Sequence, residues 1–424
     1  MKPTRLKSYP MLGFFLLFCV GIDLAAAAEK HATAEPVLDL TTLVREATES
    51  NPEIKAARQR WEASKAVVPQ MGTLPDPVIS GGYMSRGSLA SEPVTIWGVM
   101  QEVPFPGKLQ LREDMASREA ERMEADFAAV RFRVIARLKE SYFDLHLVHK
   151  ALEIVEKNKG LLQDFEKTAK ARYAVGKVAQ QDVFRAQVEL SRVLDRLAVL
   201  EQRRESLHAE INRLLYRPPV APLGRPEEIK VTPMPAGIVE MSALAERQSP
   251  ELKAQLKGVE RGDTGVALAK RDYYPDLSLS FSAAPPLQGD PMGNSYQALL
   301  GIKVPLYYAR KQRAGVEGAL STREGARKDL EATRQSVLFR VKDNVVQAQR
   351  AERLIKLLRD AIIPQASLAL ESALAGYAVG KVDFLTLLNS LLTLQESELE
   401  LHGEMVEHEK ALARLEETVG GSFQ

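Results

Sequence analysis

One short glycine-centred segment occurs twice in the chain. RYAVGKVAQQDV at residues 172–183 returns as GYAVGKVDFLTL at residues 376–387. Three further pairs keep the same order: NPEIKAARQRWEAS with SPELKAQLKGVERG, LPDPVIS with YPDLSLS, and the Val-Pro pair at 103–104 with that at 304–305. Repeats that keep their order indicate a duplicated structural unit. We therefore predict a first repeat at residues 29–216, a proline-rich linker at 217–239 and a second repeat at 240–424.

The first 28 residues have the pattern of a secretory signal peptide. Three basic residues precede the apolar run MLGFFLLFCVG, and four alanines at residues 25–28 supply small side chains for cleavage. The only cysteine, Cys19, lies inside this segment. The predicted mature chain therefore contains no thiol and no disulfide.

Each repeat is predicted to follow one plan. It begins with a helix, at about residues 39–71 and 240–271, with Thr41 or Thr42 and Ser242 as candidate N-caps. A Pro-Asp turn comes next, followed by two short segments and then by a very long helix. The predicted fold is mainly helical with a small β part.

The long helices are the dominant predicted feature. Residues 108–216 contain no proline and are rich in alanine, leucine, arginine and glutamate, which are strong helix formers. The run 108–174 predicts a helix about 100 Å long at 1.5 Å per residue. In the second repeat, Pro364 stands where the first repeat has Gly160. Proline removes a backbone donor and clashes with the preceding turn, so a bend is predicted there.

A heptad pattern marks the arm that follows each copy of the repeated segment. In the first repeat the seam positions are Val183, Leu190, Leu197, Arg204 and Ile211, together with Ala186, Val193, Leu200, Leu207 and Leu214. In the second they are Leu387, Leu394, Leu401, His408 and Leu415, together with Leu391, Glu398, Met405, Leu412 and Val419. Such spacing predicts antiparallel coiled-coil hairpins. Gly176 and Gly380 would end the first arm of each hairpin in the left-handed conformation.

The short segments alternate between apolar and polar residues. In LSLSFSA, Leu277, Leu279 and Phe281 share one face, and in YQALLGIKV the apolar positions are Ala298, Leu300, Ile302 and Val304. In the first repeat the matching positions are Ile79, Tyr83, Trp97, Val99 and Val103. Transmembrane β-strands alternate in this way, and so do the half-buried sheets of soluble proteins.

Two hairpins supply only four strands for each chain. Four strands cannot close around a lumen, and an open sheet has unpaired edges that lipid does not tolerate. No stretch after residue 28 has 18 uninterrupted apolar residues. If these strands cross a membrane, several copies of the chain must therefore complete one barrel. Three copies give twelve strands, an even number within the range of known barrels.

These features together resemble the TolC family of outer-membrane efflux ducts. The segments that carry the resemblance are the duplication itself, YPDLSLSFS, IKVPLYYARKQRAGVEGA and the paired hairpin tips. The resemblance implies a homotrimer with a twelve-stranded barrel in outer-membrane lipid and an α-helical tunnel across the periplasm. It also implies two partners, a periplasmic membrane-fusion adaptor and an inner-membrane pump of the resistance-nodulation-division type.

In that family the hairpin tips form the periplasmic entrance and meet the adaptor. The resemblance therefore assigns adaptor docking to Val175, Gly176 and Lys177 in the first tip and to Val379, Gly380 and Lys381 in the second. Some members narrow the closed entrance with two acidic residues after the second tip, and here the matching positions hold Thr386 and Asn389. Asp383 and Asp182 lie nearby and complete the candidate constriction.

The substrate class stays open between metal cations and drugs or other small molecules. VPFPGKLQLRED resembles the heavy-metal branch of the family, although Pro-Phe-Pro-Gly-Lys also suits a corner between a strand and a helix. The alternative function is a non-conducting periplasmic scaffold or adhesin. It would conduct no ions across a bilayer.

Composition and motifs argue against other classes of function. A formal net charge of +1 gives no reason to expect nucleic-acid binding. His146 and His149 share a helix face but have no obvious third ligand, so a solvated or seam position is favoured over a metal site. The sequence contains no catalytic triad motif, phosphate loop or HExxH. We therefore predict no enzyme activity and no cofactor.

Overall fold

The computed structural model describes residues 37–84, 94–285 and 293–423. The predicted signal peptide lies outside the described residues. The first half contains β1 Val37–Leu38, α1 Leu40–Ser50, α2 Pro52–Gly72, β2 Val78–Met84, β3 Val94–Val103, α3 Lys108–Ala174 and α4 Gln180–Leu214. The linker contains β4 Arg225–Pro226, and the second half contains α5 Ile238–Gln248, α6 Pro250–Arg271, β5 Asp276–Ala284, β6 Ser295–Lys303, α7 Lys311–Leu357, α8 Ile363–Ala378 and α9 Phe384–Val419. The mainly helical, duplicated plan is confirmed.

The single helix predicted at the start of each half is wrong. The chain breaks at Asn51, between α1 and α2, and at Ser249, between α5 and α6. Both residues precede a proline, which disfavours helical dihedrals in the residue before it. Asn51 then caps α2, because its Oδ1 accepts the backbone N–H of Glu53 at 2.8 Å.

The predicted N-caps of the first helices are also wrong. Asp39 caps α1, and its carboxylate accepts the backbone N–H groups of Thr41 and Thr42 at 3.1 and 2.9 Å. Gly237 precedes α5, and its own N–H donates to Glu240, three residues on. The carboxylate of Asp39, two residues before Thr41, satisfies free donors of α1, so neither threonine is needed as the cap.

The four longer strands form one antiparallel sheet in the order β2-β3-β5-β6. The register places Ile79 opposite Val99, Val99 opposite Phe281, and Leu279 opposite Leu300. Residues directly opposite each other in an antiparallel pair lie on the same face. The predicted alternation is therefore confirmed across all four strands.

The apolar face of this sheet is open. Trp97 and Leu300 are 61% and 63% exposed, although a half-buried sheet of a soluble protein covers such residues with a core. The opposite face is mostly small and polar, with Ser80, Ser278, Ser280, Ser282 and Gln297, although Met100 and Leu299 also lie on it. The exposed apolar face is the arrangement that lipid requires.

The long helices form two antiparallel hairpins that pack side by side. α3 pairs with α4, α9 pairs with α7 and α8, and α3 packs against α9. Most predicted seam positions lie in these contacts. The buried ones are Val183, Ala186, Val193, Leu207, Ile211 and Leu214 in α4, and Leu387, Leu391, His408, Leu412, Leu415 and Val419 in α9.

The two halves differ at the position of Pro364. Here a π-helical segment, Leu358–Ile362, separates α7 from α8, and Pro364 is the second residue of α8. In the first half, α3 runs through Gly160 without interruption. A wider turn accommodates a proline that can neither donate a hydrogen bond nor fit against the preceding turn. The halves therefore differ in their backbone hydrogen bonding at this position, and the predicted bend stays a prediction.

The linker between the halves crosses the middle of α3. β4 pairs in parallel with β1. The hydroxyl of Tyr142 donates to the Leu38 carbonyl and accepts the Glu227 N–H, both at 3.0 Å. The His146 ring meets the Glu227 carbonyl at 2.9 Å through Nδ1 and is almost fully buried. Burial lowers the pKa of His146 from 6.5 to about 4, against the smaller opposing effect of the Glu227 carbonyl.

The His146 pKa predicts acid sensitivity of this contact. Because the folded pKa is lower than the unfolded one, neutral His146 stabilises the fold fully above pH 6.5, and this contribution falls as the pH drops towards 4. Between pH 7 and pH 5 the loss should be about 2 kcal/mol. His146→Asn keeps a donor for the Glu227 carbonyl but does not titrate. When the variant and the unchanged protein are both unfolded in detergent, the stability of the variant should therefore depend less on pH. Equal pH dependence in the two proteins would contradict the assignment.

Candidate functional site: the paired hairpin tips

The two repeated segments fold as identical helix ends. Gly176 and Gly380 have φ angles of 70° and 77°. In the first tip the N–H of Gly176 donates to Tyr173 and that of Lys177 to Arg172, both at 2.9 Å. In the second, the N–H of Gly380 donates to Tyr377 at 3.1 Å and that of Lys381 to Gly376 at 2.9 Å. This pair of bonds defines a Schellman cap and needs glycine in the left-handed position.

The predicted docking residues lie at the outer end of each hairpin. Val175 and Val379 are exposed, and so are Lys177 and Lys381. Both tip glycines are open, because an added Cβ at Gly176 or Gly380 would meet no atom of the described residues within 4 Å. Each tip therefore offers an apolar side chain, a cation and an accessible backbone to a partner.

Arg172 joins the two tips. Its guanidinium lies 4.7 Å from the Tyr377 ring centroid and donates to the Ala378 carbonyl of the other hairpin. The two repeat tyrosines differ: Tyr173 is 46% exposed, whereas Tyr377 is only 5% exposed and also packs against Phe384. A cation held over an aromatic face stabilises such a contact by roughly 0.5–2 kcal/mol.

The sequence contains a signal for the separate role of Arg172, which comparison of the shared residues of the two repeats does not show. Arg172 stands where the second copy has Gly376. That glycine has its own packing reason, because an added Cβ would come within 2.4 Å of the Val382 side chain. The position just before the shared YAVGKV, Arg172 in one copy and Gly376 in the other, is therefore one at which the two tips take different roles.

The candidate constriction residues have separate local roles. Asp383 caps α9, and its carboxylate accepts the Thr386 N–H at 2.8 Å. Hydrogen bonds from Thr386 lower the pKa of the Asp383 carboxyl. Thr386 and Asn389 are exposed one turn apart on α9, while Asp182 is half-buried in the first turn of α4. The structure thus brings Asp383 and Thr386 together, and Asp182 belongs to the other hairpin.

The opposite end of α3 meets the sheet at a buried ion pair. Lys108, the first residue of α3, is 3% exposed, and its Nζ lies 2.8 Å from Oδ1 of Asp276. The same oxygen accepts the N–H of Phe105 at 2.8 Å, and the Phe105 ring stacks on Tyr274 at 4.6 Å. Gly107, with φ of 89°, makes the corner between β3 and α3. We call this group of contacts the strand-to-helix corner.

The histidines do not form a metal centre in the described part of the chain. His146 faces His402 at 6.4 Å between ring centroids, and His149 faces His208 at 6.5 Å. Among residues 37–84, 94–285 and 293–423, no group of three or more His, Cys, Asp or Glu side chains is placed to hold a metal ion.

Over the three described ranges, no helix is both long enough and apolar enough to cross a membrane.

Comparison with known proteins identifies the family. The family model described as outer membrane efflux protein matches residues 43–215 and 241–421. The chain belongs to this family. It is therefore an outer-membrane protein from a family of efflux channels, and the family is not one of enzymes.

Individual relatives are distant in sequence and similar in length. The chain is 22% identical over 389 residues to the cobalt-zinc-cadmium resistance protein CzcC of Cupriavidus metallidurans, covering 90% of each chain. It is 23% identical over 407 residues to the outer membrane protein TolC of Vibrio cholerae, again covering 90% of each. The open-state structure of the MtrE outer membrane channel of Neisseria gonorrhoeae superposes with a TM-score of 0.76 at 18% identity, covering 90% of this chain and 89% of that one.

Proposed function

We propose that this protein is the outer-membrane exit duct of a tripartite efflux system and acts as a homotrimer. The observation that carries the proposal is the open sheet, which has an exposed apolar face and ends at β2 and β6. Unpaired strand edges are not tolerated in lipid, where no water can satisfy them. Three copies joined edge to edge make twelve strands and leave no edge.

The long helices give the duct its periplasmic part. α3 has 67 residues and spans about 100 Å from the strand-to-helix corner to the tip. We propose that the hairpins of three copies together form a tunnel. In each copy the two repeats are residues 29–216 and 240–424, joined by the linker at 217–239. Residues 1–28 are removed on export. Two tips per chain then give six docking sites for a periplasmic adaptor.

The proposed docking surface consists of the exposed tip residues. Val175 and Val379 supply apolar contact, Lys177 and Lys381 charge, and the glycines access to the backbone. The proposed partners are the adaptor and, through it, an inner-membrane pump of the resistance-nodulation-division type. Asp182, Asp383, Thr386 and Asn389 are the proposed lining of the entrance.

Two classes of substrate are candidates for this duct, metal cations and drugs or other small molecules. The name of CzcC, a cobalt-zinc-cadmium resistance protein, and the segment VPFPGKLQLRED support metal cations. The outer membrane protein TolC, at nearly the same identity, has no metal in its name, so drugs or other small molecules stay the second class. Growth of a strain lacking its own duct, challenged with zinc, cadmium or hydrophobic drugs, distinguishes the two classes.

Conductance distinguishes a duct from a scaffold. The purified protein should be trimeric by light scattering, and in a planar bilayer it should conduct ions. Arg172→Ala should raise the conductance, because it removes the contact with Tyr377 that ties the two hairpins together at the entrance. Arg192→Ala is the matched control, since Arg192 pairs with Glu189 on its own helix. A trimer that inserts without conducting in either form would support the scaffold instead.

A further inference from the structure

The two halves of one chain meet along a single seam. There β3 pairs with β5, and α3 packs against both α6 and α9. The strand-to-helix corner belongs to this seam, because Phe105 and Lys108 come from the first half and Tyr274 and Asp276 from the second. At the strand-to-helix corner the seam is thus held by an aromatic stack and a buried ion pair.

Duplication supplies a second set of the same parts. By position in the repeats, Leu74 and Asp76 of LPDPVIS correspond to Tyr274 and Asp276 of YPDLSLS. Leu306 follows the Val-Pro pair as Phe105 does, and Lys311 begins α7 as Lys108 begins α3. The loop before Lys311 is longer, with five residues between Pro305 and Lys311 against three between Pro104 and Lys108.

This second set is unmatched within the chain. Leu74, Asp76, Leu306 and Lys311 are all exposed. Across the described residues, the side chains of Asp76 and Lys311 make no hydrogen bond or ion pair. They lie beside β2 and β6, the two edge strands of the sheet. A carboxylate and a leucine therefore stand at one edge, and a cation and a leucine at the other.

We propose that this second set assembles between two copies of the chain. Asp76 of one copy receives Lys311 of the next, and Leu74 packs on Leu306, in the manner of Asp276 with Lys108 and Tyr274 with Phe105. The inference rests on the proposed homotrimer and specifies the contact that joins its members. The opposite charges fix the register of β6 on β2, since a slip of one residue would separate them.

The helices beside the two edges agree with this pairing. At the internal seam α3 packs against α9, so the equivalent contact is α7 of one copy against α4 of another. Both helices carry large apolar side chains that the chain leaves exposed. They are Phe184, Val188, Leu194 and Val199 on α4, and Phe339, Val346 and Leu357 on α7.

Crosslinking tests the contact directly, because the only cysteine of the chain is Cys19 in the predicted signal peptide. Leu74→Cys combined with Leu306→Cys, treated in detergent with a short bis-maleimide, should give covalent dimers and trimers on a denaturing gel. The matched control is Phe105→Cys combined with Tyr274→Cys. That pair should consume both thiols within one chain and give no dimer.

The outcomes separate this inference from the proposed function. The protein could be trimeric by light scattering and the control pair could react, while the cysteines at positions 74 and 306 stay uncrosslinked. That result would show that the proposed contact is wrong and that the proposed trimer is right. A monomer in every assay would overturn both.

Charge reversal tests the proposed contact between Asp76 and Lys311 independently. Lys311→Asp alone and Asp76→Lys alone should each lower the temperature at which the trimer dissociates, and the double variant should recover most of the loss. A double variant no better than its worse parent would count against the ion pair.

Discussion

Replacing Val175 and Val379 together by aspartate should abolish efflux, with growth under toxic substrate falling to the level of cells without the duct. Both valines are exposed at the tips and support no core, so the variant should fold, insert and form trimers normally. A partner that buries an apolar tip would instead have to bury an unpaired carboxylate, which is strongly unfavourable. Efflux and trimer content are measured on the same cells.

Two further variants sharpen this test. Val175→Thr with Val379→Thr keeps the shape of the side chains without adding charge, and it should retain most of the export. Gly176→Trp with Gly380→Trp should also abolish export, but it strains residues at φ of 70° and 77° and therefore also tests the turn. Crosslinks from Lys177 and Lys381 to the adaptor would identify the docking surface. Normal export by the aspartate variant would remove the tips from the docking site.

Asp276→Leu should lower the free energy of unfolding by on the order of 3–5 kcal/mol, because it removes the closest partner of a buried charge. The Lys108 ammonium has almost no access to water and would keep only the more distant Asp272 carboxylate, at 3.4 Å, and the neutral Tyr274 carbonyl, at 3.3 Å. The Phe105 N–H would lose its acceptor as well. Thermal unfolding in detergent at fixed protein concentration measures the effect.

Asp272→Asn is the matched control at the strand-to-helix corner. Its carboxylate approaches the same ammonium but is half-exposed, so its loss should cost no more than about 1 kcal/mol. Lys108→Met in the Asp276→Leu background should recover much of the stability, because no buried charge is then left alone. If the two aspartate variants unfold alike, the corner does not depend on the buried pair.

Helix lengths, strand alternation and the tips could be predicted because each depends on a few neighbouring residues. The 67-residue α3 begins and ends at the predicted residues, and both tip glycines have the left-handed φ that a helix end of this kind requires. The breaks at Asn51 and Ser249 also have a local signal, since each precedes a proline. There the steric restriction before proline overrides the single continuous helix that was predicted for the start of each half.

The contacts between the halves could not be read from the sequence. Arg172 reaches Ala378, 206 residues away, and Lys108 reaches Asp276, 168 residues away. Local dihedral preferences and periodic patterns reach only a few residues along the chain. Which repeat packs against which depends on how whole hairpins fit side by side. The sequence by itself therefore determined the elements and their duplication. Only the tertiary structure decided that the Arg172 guanidinium lies over the Tyr377 ring and that buried Lys108 pairs with Asp276.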